Sequence, residues 1–316
     1  MTLRRRRRAP RPEPRRVISS PKPADLRLLR AHPERPVSSL RESRLSIDGV
    51  AGVVTSAGDS GSAEAVVCLH SVPGSGRDFQ WLLPETAKLA RSIAFDLPGF
   101  GRAEKPRDFP YSIEGYQQWL APAIDELGIR RAHLVLHSFH SQTGLMWAAM
   151  NPDRCASVTL LDGGILEDYP GNLVANIWRK KYAGEILQFI TTRPMFKLFM
   201  RLGNPRGLNP QWLDELITED DRATRRVTLE LYRNTNFDDA KILRQALAPR
   251  DVPILVIFGR NDPFISWRYA ERQRETFADA EIHVWDDCGH FPHVQHPERT
   301  AETVTAFLQT VVGSAG

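Results

Sequence analysis

Short, mainly apolar segments that alternate with helical segments constrain the fold of this chain most strongly. Continuous apolar runs are typical of strands buried on both faces of a parallel sheet, and helical patterns separate most of them. The runs lie at residues 65–69, 92–95, 132–135, 156–161, 253–258 and 281–285. We therefore predict an α/β fold with a doubly wound, mostly parallel sheet of the eight-stranded type, flanked by helices.

Two regions depart from this alternation. Residues 40–54 alternate loosely around Asp48-Gly49, a favourable turn pair, and predict an antiparallel hairpin. Residues 165–247 contain consecutive helical patterns rich in large apolar side chains, which predict an all-helical lid over a pocket; the alternative is that these side chains only pack the lid itself. The predicted core domain comprises residues 41–164 and 248–316.

Charge is distributed unevenly along the chain. The net charge of the 316 residues is +4, but residues 1–40 alone carry eleven Arg and one Lys against three acidic residues, so the remainder carries −5. The first 40 residues are rich in Arg and Pro and poor in apolar residues, which predicts a disordered tail. Arg4–Arg8 could instead bind nucleic acid or an anionic surface, but no nucleic-acid-reading motif accompanies them.

Localisation follows from what the sequence contains. No apolar segment follows the arginines as in a secretory signal, and no apolar run approaches the ~18 residues of a membrane helix. The three cysteines are too few and too scattered for a disulfide framework. We predict a cytoplasmic protein with a small-molecule substrate and without a membrane or nucleic-acid partner; a homodimer stays open.

A serine between a strand and a helix is the strongest chemical signal. Ser138 follows the run at 132–135, and the helical pattern at 141–150 begins three residues later. A sharp turn there exposes the hydroxyl, and the helix N-terminus offers N–H groups to a developing oxyanion. The alternative is an ordinary loop in which the serine caps the helix. Asp262 and then His290 follow in the chain, each in a loop after a predicted strand.

Five motifs in this order resemble the alpha/beta-hydrolase superfamily, in its lidded group of esterases, haloperoxidase-like enzymes and carbon–carbon bond hydrolases. The resemblance covers residues from about 41 to 312. Its marks are His-x-x-Pro-Gly at 70–74, Asp-x-Pro-Gly-x-Gly at 96–101, the turn around Ser138, Gly-x-x-Asp at 259–262 and Gly-His at 289–290.

The resemblance implies a role for each matching residue. Ser138 would be the nucleophile, His290 the general base and Asp262 the acid that orients it. The backbone N–H groups of Val72 and Phe139 would form the oxyanion hole. A serine at this turn excludes the aspartate nucleophile of the dehalogenase and epoxide-hydrolase branches.

Other site residues follow from the same comparison. Asp162 is the alternative acid, because some family members place the carboxylate there. The predicted pocket lining includes His70, Ser71, His140 and Phe291. No cofactor and no metal is predicted: several histidines, His137 among them, fall near the site but without ligand spacing.

Three positions depart from the family pattern. The small residues usual two before and two after the nucleophile are replaced by Leu136 and His140, and Ser71 stands where a Gly is usual. His140 could crowd the turn or orient a substrate. We predict a hydrolase, carboxylesterase-like or carbon–carbon bond hydrolase-like, that acts on a small ester, lactone or related carbonyl through an acyl-enzyme. The alternative is a non-catalytic homologue that binds a small molecule.

Overall fold

A single mixed sheet forms the centre of the molecule in the computed structural model, which describes residues 18–19, 40–236 and 239–313. The strand order is β1-β9-β8-β7-β6-β4-β5-β3-β2. The strands are β1 (Ile18–Ser19), β2 (Arg41–Ile47), β3 (Val50–Ala57), β4 (Glu64–Leu69), β5 (Arg91–Asp96), β6 (Arg131–His137), β7 (Cys155–Leu161), β8 (Ile254–Gly259) and β9 (Glu281–Trp285). All neighbours pair in parallel except β2 with β3 and β3 with β5. The predicted fold class is confirmed.

The predicted hairpin forms at the edge of this sheet. Asp48 and Gly49 connect β2 to β3 with φ of 49° and 82°, as a turn with left-handed residues requires. At the opposite edge Ile18 and Ser19 pair with β9. The rest of the predicted tail, residues 1–17 and 20–39, lies outside the described residues.

Helices cover both faces of the sheet. They are α1 (Leu83–Thr86), α2 (Ile113–Glu126), α3 (Ser141–Met150), α10 (Arg268–Arg272), α11 (Pro292–Gln295) and α12 (Pro297–Gln309). Strand β4 shows how the faces divide: Val67 and Leu69 belong to one buried core, whereas Val66 and Cys68 belong to the other. Successive side chains of a strand point to opposite faces, so its continuous apolar run fills both cores.

Six α-helices lie among the described residues between β7 and β8. They are α4 (Leu173–Trp178), α5 (Ala183–Ile190), α6 (Arg193–Leu202), α7 (Pro210–Glu219), α8 (Arg222–Asn234) and α9 (Ala240–Leu247). Helices α4 and α5 are separated by a turn in which Tyr182 adopts a left-handed φ of 68°. Helix α9 contacts α3, and Leu243 joins the main core. The domain limits stay a prediction.

A third buried cluster connects this helical segment to the strand ends. Trp212 of α7 packs against Phe291, with ring centroids 5.1 Å apart, and Val294 of α11 completes the contact. In the described parts of the chain, no helix combines the length and apolarity needed to cross a bilayer.

Candidate active site

Ser138 stands on a sharp turn at the end of β6. Its φ of 52° lies in the left-handed region, which is unusual for a residue with a side chain and recurs at functional sites. Helix α3 begins at Ser141, directly after this turn. The local structure is therefore the strand–serine–helix arrangement predicted from sequence.

A continuous chain of hydrogen bonds joins Ser138 to two other strand-end residues. Ser138 Oγ lies 2.9 Å from His290 Nε2, and His290 Nδ1 lies 2.7 Å from Asp262 Oδ2. The other carboxylate oxygen of Asp262 accepts the backbone N–H groups of Phe264 and Ile265, at 2.7 and 3.1 Å. Because the carboxylate accepts from Nδ1–H, Nε2 is left to accept the serine hydroxyl proton.

Asp162, the alternative acid, lies beside this chain but does not bond to the imidazole. Its Oδ1 accepts the N–H of Gly259 at 2.9 Å. Its carboxyl is fully buried, and burial, reinforced by the charge of Asp262, raises its pKa well above the ordinary value. A carboxyl in this environment favours the neutral form and can donate a hydrogen bond to Asp262.

A cavity of about 260 Å³ opens above Ser138 and His290. Besides Ser138 and His290, four predicted site residues line it: Ser71, Val72, Phe139 and Phe291. The helical segment contributes most of the remaining wall, mainly with large apolar side chains: Trp178, Leu187, Met195, Phe196, Phe199, Met200, Leu216 and Tyr232. The large apolar side chains of residues 165–247 predict the roof of a pocket, but a local sequence pattern does not specify which of them line it.

His70 does not line the cavity, contrary to the prediction. Its Nδ1–H donates to the carbonyl of Ser71 at 2.6 Å, and its Nε2 accepts the N–H of Leu97 at 3.2 Å. Both ring nitrogens are therefore used inside the protein, and burial lowers the pKa of His70 to about 4. The imidazole fastens the loop that carries Ser71 and Val72 to the loop after β5.

His140 also lies outside the cavity lining, so its placement in the pocket was wrong. Its ring is fully buried, with edge contacts to Tyr116 at 4.9 Å and to His70 at 5.2 Å. Its Nδ1 lies 3.0 Å from Thr143 Oγ1. Strand-end position alone could not reveal this orientation, because it depends on aromatic partners from α2 and distant loops.

Leu136, the second departure from the family pattern, is accommodated by a glycine of α3. A Cβ built on Gly144 would lie 2.2 Å from Leu136 Cδ2. Gly163 similarly passes close to the turn, where an added Cβ would lie 2.9 Å from the backbone N of Ser138. Gly144 and Gly163, which lie next to the turn, thus provide the space that small residues within the turn usually provide.

A second polar cluster, which sequence analysis did not assign, lies behind His290. The Nε2–H of His137 donates to the backbone carbonyl of His290 at 2.8 Å. Ligand-type atoms of His137, His293 and Asp78 lie within 4.8 Å of one another. Asp78 accepts the indole N–H of Trp212 at 3.0 Å, which ties α7 to this cluster. The signal in the sequence was the His-x-x-His spacing of 290 and 293, which is weak alone.

Most of the chain matches a known protein family. Residues 64–297 match the family described as alpha/beta hydrolase fold. The chain belongs to this family. It is an enzyme of the hydrolase class, as predicted.

Named relatives of this alpha/beta hydrolase include enzymes of several kinds. The chain is 28% identical to 2-hydroxymuconate semialdehyde hydrolase of Pseudomonas sp. (strain CF600), over 82% of this chain and 91% of the relative. It is 26% identical to 2-hydroxy-6-oxo-2,4-heptadienoate hydrolase of Pseudomonas putida, over 81% and 93%. A haloalkane dehalogenase from Bradyrhizobium elkani shares the fold, with a TM-score of 0.77, 20% identity and coverage of 87% and 100%.

Proposed function

We propose that this protein is a serine hydrolase in which Ser138, His290 and Asp262 form the catalytic triad. The observation that carries the proposal is the unbroken hydrogen-bond chain from Asp262 through His290 to Ser138, whose hydroxyl borders the cavity. This is the arrangement that nucleophilic catalysis by a hydroxyl requires: a base within reach of the nucleophile and a third group orienting the base.

The reaction would proceed through an acyl-enzyme. His290 Nε2 takes the hydroxyl proton as Ser138 Oγ attacks the carbonyl carbon, and the backbone N–H groups of Val72 and Phe139 stabilise the oxyanion. His290 then gives the proton to the leaving group as the carbon–heteroatom bond breaks. Water attacks the acyl-enzyme in the second half, with His290 again as the base.

The cavity wall favours a neutral, apolar substrate. None of the described residues that line it is Lys or Arg. Its carboxyl group, that of Asp220, has a pKa raised by burial to about 7. A buried anion is costly without a paired cation. The two Pseudomonas relatives are named for a muconate semialdehyde and a dienoate. The described wall offers such a carboxylate no Lys or Arg partner, so we propose a small neutral ester or lactone.

Arg225 pairs with Asp220 of this wall, but the donors of Arg225 bond within the protein. Its Nε donates to Asp220 at 3.0 Å, and its Nη1 donates to the carbonyls of Gln188 and Thr191 at 2.7 and 3.2 Å. It therefore neutralises Asp220 and joins α8 to α5, and it has little left to offer a substrate.

The alternative is a homologue that binds a small molecule without turnover. The enlarged positions Leu136 and His140 favour it, since an opened turn would misplace an oxyanion donor. Two observations support the catalytic proposal instead: Gly144 makes room for Leu136, and the ring of His140 packs away from the cavity.

A labelling experiment with matched substrates tests the proposal. A fluorophosphonate probe should label Ser138, and the protein should hydrolyse p-nitrophenyl butyrate. Ser138→Ala should abolish both, whereas Ser141→Ala, which changes the next serine along the chain at the start of α3, should keep labelling of Ser138. A butyrate ester should also be preferred over the equally long hemisuccinate ester, which carries a carboxylate. Tight ligand binding without labelling or turnover would favour the binding homologue.

A further inference from the structure

Helices α5 and α6 direct apolar stripes toward solvent. On α6 the exposed residues are Met195, Leu198, Phe199 and Leu202, which share one helix face by their spacing of three and four residues. On α5 the same spacing relates Ile186, Phe189 and Ile190. Phe189 is 85% exposed and Leu202 is 77% exposed, although residues of these types are usually buried.

We define the outer lid face as these seven residues together with Leu173 and Tyr182, which are 76% and 70% exposed. Scattered single apolar residues on a surface are ordinary. Nine large ones lie within residues 173–202, and α5 and α6, which carry seven of them, border the same cavity through Leu187, Met195 and Phe199. Such a concentration of exposed apolar side chains is of the kind that marks an interaction site.

The same segment is strongly basic. Residues 173–202 contain six Lys and Arg residues against one acidic residue, Glu185, which gives a net charge of +5. Glu185 itself pairs with Arg233 at 2.8 Å. The chain from residue 41 onward is acidic overall, so this segment is a local basic region on an otherwise acidic body.

The basic residues flank the apolar stripes. Arg193, Lys197 and Arg201 recur every four residues along α6 and follow a line beside its apolar stripe, and Lys197 pairs with Asp214 of α7. Lys180 and Lys181 lie exposed in the turn between α4 and α5. Apolar side chains bordered by cations are typical of helices that lie in the interface of a bilayer containing anionic lipids.

We propose that the outer lid face docks on an anionic phospholipid bilayer, with α5 and α6 in the interface plane. This inference revises the expectation of no membrane partner, while α5 and α6 remain too short to span a bilayer. Charge distinguishes the bilayer from other occupants. A symmetric pairing of two copies would bring two basic faces together, which repel each other. The Arg-rich residues 1–40 are also positively charged and would be repelled by this face.

The docked face would lie at the entrance to the cavity. Met195 and Phe199 belong to the outer lid face and also line the cavity that contains Ser138. If the proposed serine hydrolase function holds, a neutral apolar ester dissolved in the bilayer could pass between these side chains to the nucleophile. The docking itself does not depend on turnover.

A site-specific fluorescence experiment on the full chain tests the docking. Cys68, Cys155 and Cys288 are buried, so a cysteine introduced on the surface can be labelled selectively with an NBD iodoacetamide. Phe189→Cys is the test variant, and Ile242→Cys on α9, where the native side chain is 58% exposed, is the matched control. Vesicles of phosphatidylcholine with and without phosphatidylserine are added, in a Ser138→Ala background to exclude substrate turnover.

The proposal expects the label at 189 to shift to the blue and to be shielded from iodide when phosphatidylserine vesicles are present, and the label at 242 to do neither. A shift at both positions, or at neither, would overturn it. Both variants contain the basic residues 1–40, so a difference between the two labels reports binding through the outer lid face and not through those residues.

Vesicle sedimentation provides an independent measurement. Phe189→Asp with Leu198→Asp should raise the lipid concentration for half-binding by roughly tenfold or more, whereas Ile242→Asp should leave it unchanged. Analytical ultracentrifugation without lipid completes the test: a wild-type dimer that Leu198→Asp dissociates would show that a second copy covers the face. Loss of ester hydrolysis by Ser138→Ala with vesicle binding retained would be consistent with both proposals.

Discussion

At the scale of single residues, two carboxylates of different character lie beside His290. Asp262 accepts the Nδ1–H of His290 and two backbone N–H groups, a set of donors that stabilises a carboxylate anion. Asp162 accepts a single N–H, and burial raises its pKa. A carboxylate anion, unlike a neutral carboxyl, stabilises the imidazolium that would form when His290 takes a proton. We therefore assign the role of acid in the proposed triad to Asp262.

This difference predicts opposite outcomes for the same substitution. Asp262→Asn should lower kcat on p-nitrophenyl butyrate by about 10⁴-fold, as the corresponding change does in the Ser-His-Asp template. The amide of Asp162→Asn is uncharged, like the carboxyl of Asp162 in its neutral form. This variant should therefore retain most of the activity and stability. Steady-state kinetics and thermal unfolding of both variants decide the matter. A severe loss in Asp162→Asn with near-normal turnover in Asp262→Asn would reassign the acid.

The positions of the candidate site residues could be predicted from sequence because they follow strand ends. Ser138, Asp262 and His290 each come after a strand of the parallel part of the sheet, whose carboxyl ends share one edge. The directions of His70 and His140 could not be predicted. A side chain at a strand end can face the cavity or the core, and partners such as Leu97 and Thr143 decide which.

At the scale of elements, β6 and α3 pack together because a large side chain on the strand, Leu136, lies against a glycine on the helix, Gly144. Leu136 at the end of β6 is fully buried, and its methyl groups occupy the place of a Cβ on Gly144 of α3. The packing of interiors is dense enough that an added methyl group here must displace its neighbour. The strand–helix contact that positions Ser138 therefore depends on this pair.

The pair predicts a non-additive double mutant. Gly144→Ala should lower the free energy of unfolding by about 1–3 kcal/mol through overpacking, and Leu136→Ala by about 2–5 kcal/mol through the cavity it leaves. In the double variant the added methyl group fills part of that cavity, so the loss should be smaller than the sum of the two. Denaturant unfolding measures all three, with Gly61→Ala as the control, because Gly61 is exposed, has no left-handed φ and has room for a Cβ. Strict additivity would show that the two residues do not compete for space.

Element boundaries can be predicted from sequence where local chemistry sets them. Ser112 caps α2 by accepting the N–H of Gly115, and Asp48-Gly49 turns the hairpin. The break between α4 and α5 has no such signal, because a tyrosine takes the left-handed conformation there. Tertiary contacts such as that of Arg233 with the carbonyl of Trp178 hold this turn, and these cannot be seen in a local sequence pattern.

At the scale of the whole molecule, the interior holds an unusual number of imidazoles. Burial lowers the pKa of four of them, to about 4 for His70 and to about 3 for His293, and well below the ordinary value for His137 and His140. A histidine whose folded pKa lies below its unfolded pKa contributes stability above the unfolded value, near pH 6.5, and this contribution is lost as the pH falls toward the folded value. Buried carboxyls with raised pKa, such as Asp78, act in the opposite sense.

Because these histidines and carboxyls act in opposite senses, the pH dependence of the wild-type free energy of unfolding does not isolate any one group. The difference in unfolding free energy between the wild type and a single variant does. His293 is suited to the test because both of its ring nitrogens lack a hydrogen-bond partner within the described residues, and its ring stacks on Phe79 with centroids 4.9 Å apart. Its polar surroundings are His137, His290 and Asp78. A phenyl ring keeps the stacking and removes only the titration.

His293→Phe should therefore equal or exceed the wild-type stability at pH 5, although near pH 8 the two proteins should differ little. Between pH 6 and pH 4 the unfolded wild type binds a proton at position 293 that the folded protein does not. The wild-type free energy of unfolding should thus fall with decreasing pH by about 1.4 kcal/mol per pH unit more than that of the variant. Urea unfolding at intervals from pH 4 to pH 8 measures this, with His283→Phe at a partly exposed position on β9 as the control. Parallel curves for His293→Phe and the wild type would show that His293 is protonated in the folded protein or that its ring is not enclosed.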